Sequence, residues 1–332
     1  AAVGVRANFS DALQLNRLNL SASVSPGSGL PSDERVHLRA DYQRYDWRAR
    51  ATYNDADFYD LFGPTKTSRK GYSLGLGYHR TLLYDEPRRI ELETDAMFAG
   101  NLDRLPQYQN VEVQIDRLFA FEAVLKGRHI RSSLGRVDDE KGTKWSTGLD
   151  GSVVAGAWNT RWQGTFDAGV PLPVAHSSLW VRSAAGFSPG NRDDPFANFF
   201  FGGFGNNYVD YRDEKRYRMP WAFPGLDLNE LGGRTYLRSM VELNLPPWRF
   251  QRVGTAGFYA TWMRPALFAS VLTTEPGSDA FRRVVTNAGA QVDFQLSALS
   301  ALDMVLSFGG AVAFEDGFRP RREVMASFKI LR

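Results

Sequence analysis

Four histidines, His37, His79, His129 and His176, are the first residues to weigh for metal or acid–base chemistry, because imidazole ligates divalent metals and titrates near neutrality. His37 and His79 fall on the polar phase of neighbouring hairpins. No acidic ligand spacing accompanies them, so solvated side chains are the expectation. Glu91, Glu93, Asp95, Asp41 and Asp293 could imitate a general acid–base pair. They alternate against Arg6, Arg39, Arg48, Arg50 and Arg238, and a lattice of opposite charges on a wet wall accounts for them more simply. Asp138-Asp139-Glu140-Lys141-Gly142 packs three carboxylates together without the alternating oxygen ligands of a calcium loop, so it reads as an exposed turn. Gly202-Gly203-Phe204-Gly205 lacks the strand-to-helix context that places a phosphate, and reads as closely packed loop backbone. There is no nucleophile elbow, and the absence of cysteine removes disulfides, thiolate metal sites and thiol catalysis. The expectation is a protein that is not an enzyme and has no cofactor.

The elements that carry these side chains alternate with period two. Val3, Val5, Ala7 and Phe9 oppose Gly4, Arg6 and Asn8; Val36, Leu38, Ala40 and Tyr42 oppose His37, Arg39 and Asp41; Ile90, Leu92, Thr94 and Ala96 oppose Glu91, Glu93 and Asp95. The cleanest case places Leu237, Ser239, Val241, Leu243 and Leu245 on one face and Tyr236, Arg238, Met240, Glu242 and Asn244 on the other, a strand apolar on one side and wet on the other. Weaker strands are predicted near 111–126, 128–137, 145–154, 161–172 and 178–187. The total is about sixteen, the even number that single-chain membrane barrels require. Between Ser188 and Gly232, about 45 residues show no sustained period, far longer than an ordinary connection. Their aromatic content argues against disorder.

Composition bounds the class. A single large all-β unit can hold 332 residues. Mean hydropathy is -0.34 and no apolar run suffices for a spanning helix, but strands that alternate two environments average to a polar sequence. A net charge of +3, spread along strands and turns, gives no footprint for nucleic acid. A β-sandwich would show the same alternation. Two features favour a membrane barrel: charges recur strand after strand on the polar phase, and Trp47, Tyr53, Tyr72, Tyr78 and Trp262 recur near strand ends on the apolar phase. No signal peptide is visible at Ala1, so the chain reads as a processed or excised domain. Residues 1–332 read as one domain.

The strand run, the long loop and the Gly232-Gly-Arg-Thr-Tyr-Leu-Arg-Ser-Met-Val-Glu-Leu243 entry to the next strand resemble the bacterial surface-antigen barrel of the outer-membrane assembly-factor superfamily. More narrowly, Asn54-Asp-Ala-Asp-Phe-Tyr-Asp-Leu-Phe-Gly-Pro-Thr-Lys66, Leu134-Gly-Arg-Val-Asp-Asp-Glu-Lys-Gly142, Phe204-Gly-Asn-Asn-Tyr-Val-Asp210 and Arg264-Pro-Ala-Leu-Phe268 look like the barrel half of proteins that join a periplasmic TolB-like propeller to such a barrel.

The resemblance implies a sixteen-stranded antiparallel transmembrane barrel in the bacterial outer membrane. The loop between strands 11 and 12 would fold into the lumen as a plug. The family's Arg-Gly-aromatic loop tip is replaced here by Phe223-Pro224-Gly225, and Arg218, a few residues upstream, is the residue offered in place of the missing arginine. The lumen charge lattice would comprise Arg39, Asp41, Arg48, Arg50, Glu91, Glu93, Arg238, Glu242 and Asp293. Val5 and Phe328 would mark the first and last strands at a seam. Sixteen strands starting in the periplasm put Asp55–Lys70, Gly100–Asn110 and Asp138–Lys144 there, opposite the Ser188–Gly232 loop, with Phe58 and Tyr59 on a docking face. Phe328 and Ile330 carry the aromatic and apolar end signal, although the chain closes on Arg332. The partners implied are outer-membrane lipid, a periplasmic propeller or other domain and a polypeptide client. The implied function is insertion, secretion or surface display of polypeptide, with a passive solute channel as the alternative and a barrel enzyme the least favoured reading.

Overall fold

The computed structural model describes residues 3–26, 31–54, 70–102, 116–154, 156–205, 209–210, 214–299 and 302–331. Among these, the long elements are all strands. The first ten are β1 (Val3–Ser10), β2 (Asn16–Val24), β3 (Val36–Arg44), β4 (Trp47–Tyr53), β5 (Tyr72–Asp85), β6 (Arg88–Gly100), β7 (Arg117–Arg131), β8 (Lys141–Val154), β9 (Ala157–Pro171) and β10 (Ser178–Phe187). The long connection carries three short pieces, β11 (Phe199–Phe201), β12 (Val209–Asp210) and β13 (Leu231–Gly233). After it come β14 (Thr235–Asn244), β15 (Trp248–Thr255), β16 (Phe258–Thr274), β17 (Arg283–Ala298), β18 (Leu302–Glu315) and β19 (Arg321–Leu331).

Apart from β11 and β13, which pair with each other, these strands form one 17-stranded sheet in which every long neighbour pairs antiparallel and in sequence order. The sheet crosses the long connection by pairing β10 with β14. β14 and β15 lie end to end along β16 and are interrupted at Pro246-Pro247, where two residues without a backbone N–H cannot continue a ladder. Counted as one interrupted strand, they leave ten long strands before the connection and five after it.

This corrects the expected place of the long loop, which follows the tenth strand instead of the eleventh. The discrepancy arises at Gly127. Read as a break between strands at 111–126 and 128–137, it lies inside the single strand β7, where it makes room for Trp145 on β8. A Cβ at Gly127 would stand 2.2 Å from the indole.

Losing one strand reverses the parity of every later connection. Residues 25–35, 54–71, 101–116, 155–156, 188–234, 275–282 and 316–320 leave from one end of the sheet, and 11–15, 45–46, 86–87, 132–140, 172–177, 256–257 and 299–301 from the other. The 54–71 and 101–116 connections therefore share the end of the long loop and do not oppose it, while 132–140 is on the other side as expected. Phe58 and Tyr59 lie outside the described residues. The longest connections gather at one end and mostly short turns at the other, the exceptions being 132–140 and the two-residue 155–156.

The two faces of the sheet also reverse one expectation. On β14 the face bearing Tyr236, Arg238, Met240, Glu242 and Asn244 is buried, while Leu237 and Val241 on the apolar face are exposed. The 188–234 connection lies against the charged face and touches strands far apart in the sheet. Phe196 packs on Leu118 and Val154 of β7 and β8, while Phe204 and Gly225 bond Glu323 of β19. A sheet that meets one segment along so much of its width curls around it. The outer face carries Val5, Leu20, Leu38, Trp47, Leu76 and Phe166, all exposed. That is far more contiguous apolar surface than a water-facing sheet ordinarily shows.

Candidate functional site: a loop locked onto the inner wall

The inner wall has two regions with different electrostatics. On β3 to β7 the predicted lattice is open to water. Arg39 and Arg50 each place Nε 2.6 Å from Asp41, Arg48 approaches Asp95 at 3.7 Å, Arg89 meets Glu91 at 2.5 Å, and Lys126 bonds Glu93. These pairs are part exposed and each contributes little to stability. Cavities of about 350 and 450 Å³ lie along β6 to β10, between this lattice and the covered region, and the first is also bordered by Arg218 and Arg238. They share Lys126, Ser146, Thr165 and Asp167, so they form one space that reaches towards the short-turn end.

On β10 to β19 the charges are covered by the long connection. The turn Arg216–Arg218 presents the side chains of Tyr217 and Arg218 to Glu242 of β14. Arg218 places Nη2 2.6 Å from one carboxylate oxygen of Glu242, and the Tyr217 hydroxyl donates to the same oxygen at 2.8 Å. From the wall, Arg182 donates to the other oxygen at 2.6 Å and also reaches Asp167 at 2.6 Å. Lys215 donates to Asn244 at 2.7 Å and stands 3.9 Å from Glu242. Arg264 on β16 bonds Asp293 at 3.0 Å and Glu214 of the loop at 3.2 Å, and Lys329 on β19 meets the same Glu214 at 3.2 Å. Five cations, Arg182, Lys215, Arg218, Arg264 and Lys329, thus face five anions, Asp138, Asp167, Glu214, Glu242 and Asp293. Burial on this scale is tolerable only because the charges balance and are hydrogen bonded.

Asp138 was expected on an exposed turn, and the structure corrects this. The 132–140 connection folds inward from the short-turn end, and Asp138 accepts from Arg218 at 2.7 Å and Lys215 at 3.1 Å. The loop is therefore gripped from the wall by Glu242 and from below by Asp138. Arg238, expected within the charge lattice, binds backbone instead: it donates to the carbonyl of Tyr217 at 2.7 Å and to that of Met219.

The loop tip is seated separately. Phe223 is fully buried in a cluster with Phe199, Phe201, Tyr236, Leu272 and Ala313. The Pro224 carbonyl accepts from Asn287 at 2.8 Å, and the Gly225 amide donates to Glu323 at 2.9 Å. Gly225 has φ +98°, and a Cβ there would lie 2.7 Å from the backbone nitrogen of Ala313, so both conformation and space demand glycine. The second oxygen of Glu323 takes the Phe204 amide at 3.0 Å. Gly202 packs as closely, its Cβ position 1.8 Å from the Asp227 carbonyl.

Ser133, His176 and Glu140 come together at the short-turn end, a grouping that local sequence did not indicate. His176 Nδ1 stands 3.1 Å from Ser133 Oγ and 2.8 Å from Glu140, and Ser133 Oγ itself donates to Glu140 at 2.9 Å. A nucleophilic triad needs the two imidazole nitrogens to divide serine and acid between them. Here one nitrogen serves both, so the cluster ties two turns together. His37 is buried, not solvated as expected, with Nε2 2.8 Å from Ser25 and Nδ1 2.5 Å from the Asn54 carbonyl. Among the described residues no group of three acidic or histidine side chains is placed to hold a metal.

The lock has a defined response to acid. Burial alone would push the Asp138 carboxyl up, but Arg218, Lys215 and Arg264 outweigh it and hold it well below the usual carboxylate range. Because its folded value lies below its unfolded one, its stabilisation is full above the ordinary value of 3.8 and is lost as pH falls through the lower folded value. Glu140 shifts the same way: burial is outweighed by hydrogen bonds from His176 and Ser133. The loop is therefore expected to resist protease from pH 8 down to about pH 4 and to become cleavable only in stronger acid. Digestion with an acid-active protease across that range checks this. Loop release already near pH 6 would show that Asp138 is not the anion that holds it.

No family model and no curated protein matches the sequence. Among solved structures, the chain is similar to CdiB from Acinetobacter baumannii at 10% identity and a TM-score of 0.49, over 99% of this chain and 56% of that one. The chain thus spans about half the length of that protein.

Proposed function

We propose that the protein is an outer-membrane β-barrel of the surface-antigen type. In this reading it acts without catalysis in envelope biogenesis, in the insertion, secretion or display of a polypeptide. The observation that carries the reading is the division of the sheet: an exposed apolar outer face and a charged inner face on which a long connection is locked by Arg218 and Lys215 to Glu242 and Asp138. An apolar outside around a polar, loop-filled inside suits a wall between lipid and water. The gathering of long connections at one end and short turns at the other supports the same orientation, with the short-turn end in the periplasm. The plug is a functional element because it is held by charge balance as well as by packing, so it can be released by a competitor for those charges without unfolding the wall.

A passive solute channel is the second reading, and the open space along β6 to β10 favours it. Deletion of residues 190–230 separates the two. For a plugged barrel, single-channel conductance in planar bilayers is expected to be small in the intact protein and to rise severalfold in the deletion. Large conductance in the intact protein, little changed by the deletion, would favour the passive channel.

A further inference from the structure

At the short-turn end, the basic residues of the outward face are confined to one sector of the rim. Arg44 of β3, Arg80 of β5, Arg88 of β6, Arg131 of β7 and Lys141 of β8 fall there on the outward phase, and all five are exposed. On β9, β10, β14 and β16 to β19 no described basic residue takes that phase at the same end. The crowding is greatest on β6 to β8. Arg131 and Lys141 are direct cross-strand partners, and Arg88 is the partner of His129, two residues along β7. Like charges directly opposite repel, yet none of Arg88, Arg131 and Lys141 forms an ion pair among the described residues. Asp85 lies opposite Arg88 without pairing to it, and Glu86 is engaged by Arg128 from the inner phase.

What adjoins this patch identifies its ligand. Along β7 and β8 the outward face turns apolar within a few residues: Trp145 packs over Gly127, and Phe166 of β9 stands beside Trp145 in register. Phe166 and Leu149 are exposed. Trp145 is four residues from Lys141, about 13 Å along the strand, which is the step from a phosphate headgroup to the upper part of its acyl chains. An acidic protein domain would meet the cations but not the apolar face beyond them, whereas a bilayer lipid meets both. Indole rings also settle at that boundary. Resting on the barrel reading above, we propose that Arg88, Arg131 and Lys141 form a binding site for the headgroup phosphate of an anionic glycerophospholipid in the leaflet at the short-turn end, with its acyl chains against Trp145 and Phe166. A zwitterionic lipid carries its own ammonium beside the phosphate and gains less from three cations. The site therefore selects anionic lipid, and it does so on one sector of the rim only.

Lipid competition tests this. The full-length protein in detergent is given equal amounts of phosphatidylglycerol and phosphatidylethanolamine with the same acyl chains, and the lipid retained is read by native mass spectrometry. Each basic residue beside an anionic headgroup favours it about fivefold, so wild type should retain phosphatidylglycerol over phosphatidylethanolamine by at least about tenfold. Replacing all three residues by glutamine (Arg88→Gln, Arg131→Gln, Lys141→Gln) should bring the ratio to within about twofold. Arg322→Gln, on the outward phase at the opposite end of the sheet, should leave it unchanged. In vesicles, phosphatidylglycerol brominated on its chains should quench Trp145 more than the brominated zwitterionic lipid does, read as the difference between wild type and Trp145→Phe. Equal retention of the two lipids by wild type would overturn the proposal, and a triple variant that keeps the preference would overturn its location. Displacement of the lipid by an equal concentration of inorganic phosphate would show a site for free anions and would overturn the lipid assignment. Failure of the barrel reading itself shows differently, as protein removed from the membrane fraction by alkaline wash; protein that resists the wash but shows no lipid preference overturns this inference alone.

Discussion

Glu242→Ala is expected to destabilise the folded protein by about 3–5 kcal/mol, read as a lower urea midpoint of tryptophan fluorescence in detergent. Glu242 has no exposed surface and is shared by Arg182, Arg218, Lys215 and the Tyr217 hydroxyl. Its removal does not free these groups to find water, because the wall and the loop still enclose them. It leaves an excess of buried positive charge, which is the costly way to break a buried network. Arg218→Ala alone should cost less, since Lys215 and Arg182 remain to neutralise Glu242 and Asp138. In the double variant the losses should be clearly less than additive, because removing Arg218 relieves part of the excess charge left by the loss of Glu242. Glu242→Gln keeps the shape and an acceptor for Tyr217 but not the charge, and should fall between wild type and Glu242→Ala. A midpoint for Glu242→Ala within experimental error of wild type would show that the ten-residue charge cluster does not hold the loop.

Much of this arrangement is visible along the chain, for a physical reason. A strand shows both environments within five residues, so Leu237 and Glu242 are assigned to opposite faces by counting alone. What counting does not give is which face is covered. The charged face of β14 reads as wet because charges ordinarily seek water, and it is buried because a segment about 25 residues upstream brings matching charges to it. Arg218 was singled out through a resemblance, and the structure places it 2.6 Å from Glu242. Asp138 lies 80 residues from Arg218 and within a run of three carboxylates that resembles any solvated turn. Nothing near it in sequence distinguishes it from Asp139, whose partners Lys144 and Arg136 lie at the more exposed turn. Gly127 shows the opposite failure. Glycine punctuates turns often enough to suggest a break, but here the missing side chain is space for an indole from the neighbouring strand, a need visible only once β7 and β8 are in register.

The lock and the edge strand are also physically coupled. Glu323, Lys329 and Arg321 all lie on β19, and they bond respectively the Phe204 and Gly225 amides, Glu214 and Glu230 of the long connection. The last strand therefore has β18 on one side, only the two residues of β12 on the other, and the long connection over its inner face. A loop that withdraws loosens β19 more than the inner strands, since among the described residues β19 has no second long neighbour to retain it. Plug release and seam mobility need not be separate events in such a construction.

Phe223→Ala is expected to remove about 3–5 kcal/mol from the seating of the loop while leaving the sheet formed. The ring is fully buried, its backbone N–H donates to the Gly203 carbonyl at 3.0 Å, and its cluster draws on β11, β14, β16, β17 and β18. Truncation loses the transfer free energy of the ring and leaves a cavity that cannot readily collapse, because the walls of the cavity are strands held by their own ladders. Leu237→Ala tests the other face of the same sheet. Leu237 is 56% exposed and points outward, where it has little protein packing to lose, so its truncation should change the midpoint by no more than about 0.5–1 kcal/mol. The expected result is selective: in Phe223→Ala, protease cuts within 190–230 at a concentration that leaves wild type intact, and the fluorescence of nearby Trp221 shifts, while β-sheet circular dichroism is unchanged. Equal losses from the two substitutions would mean that loop and wall unfold as one unit. The lock would then be part of the fold and could not act as a releasable plug.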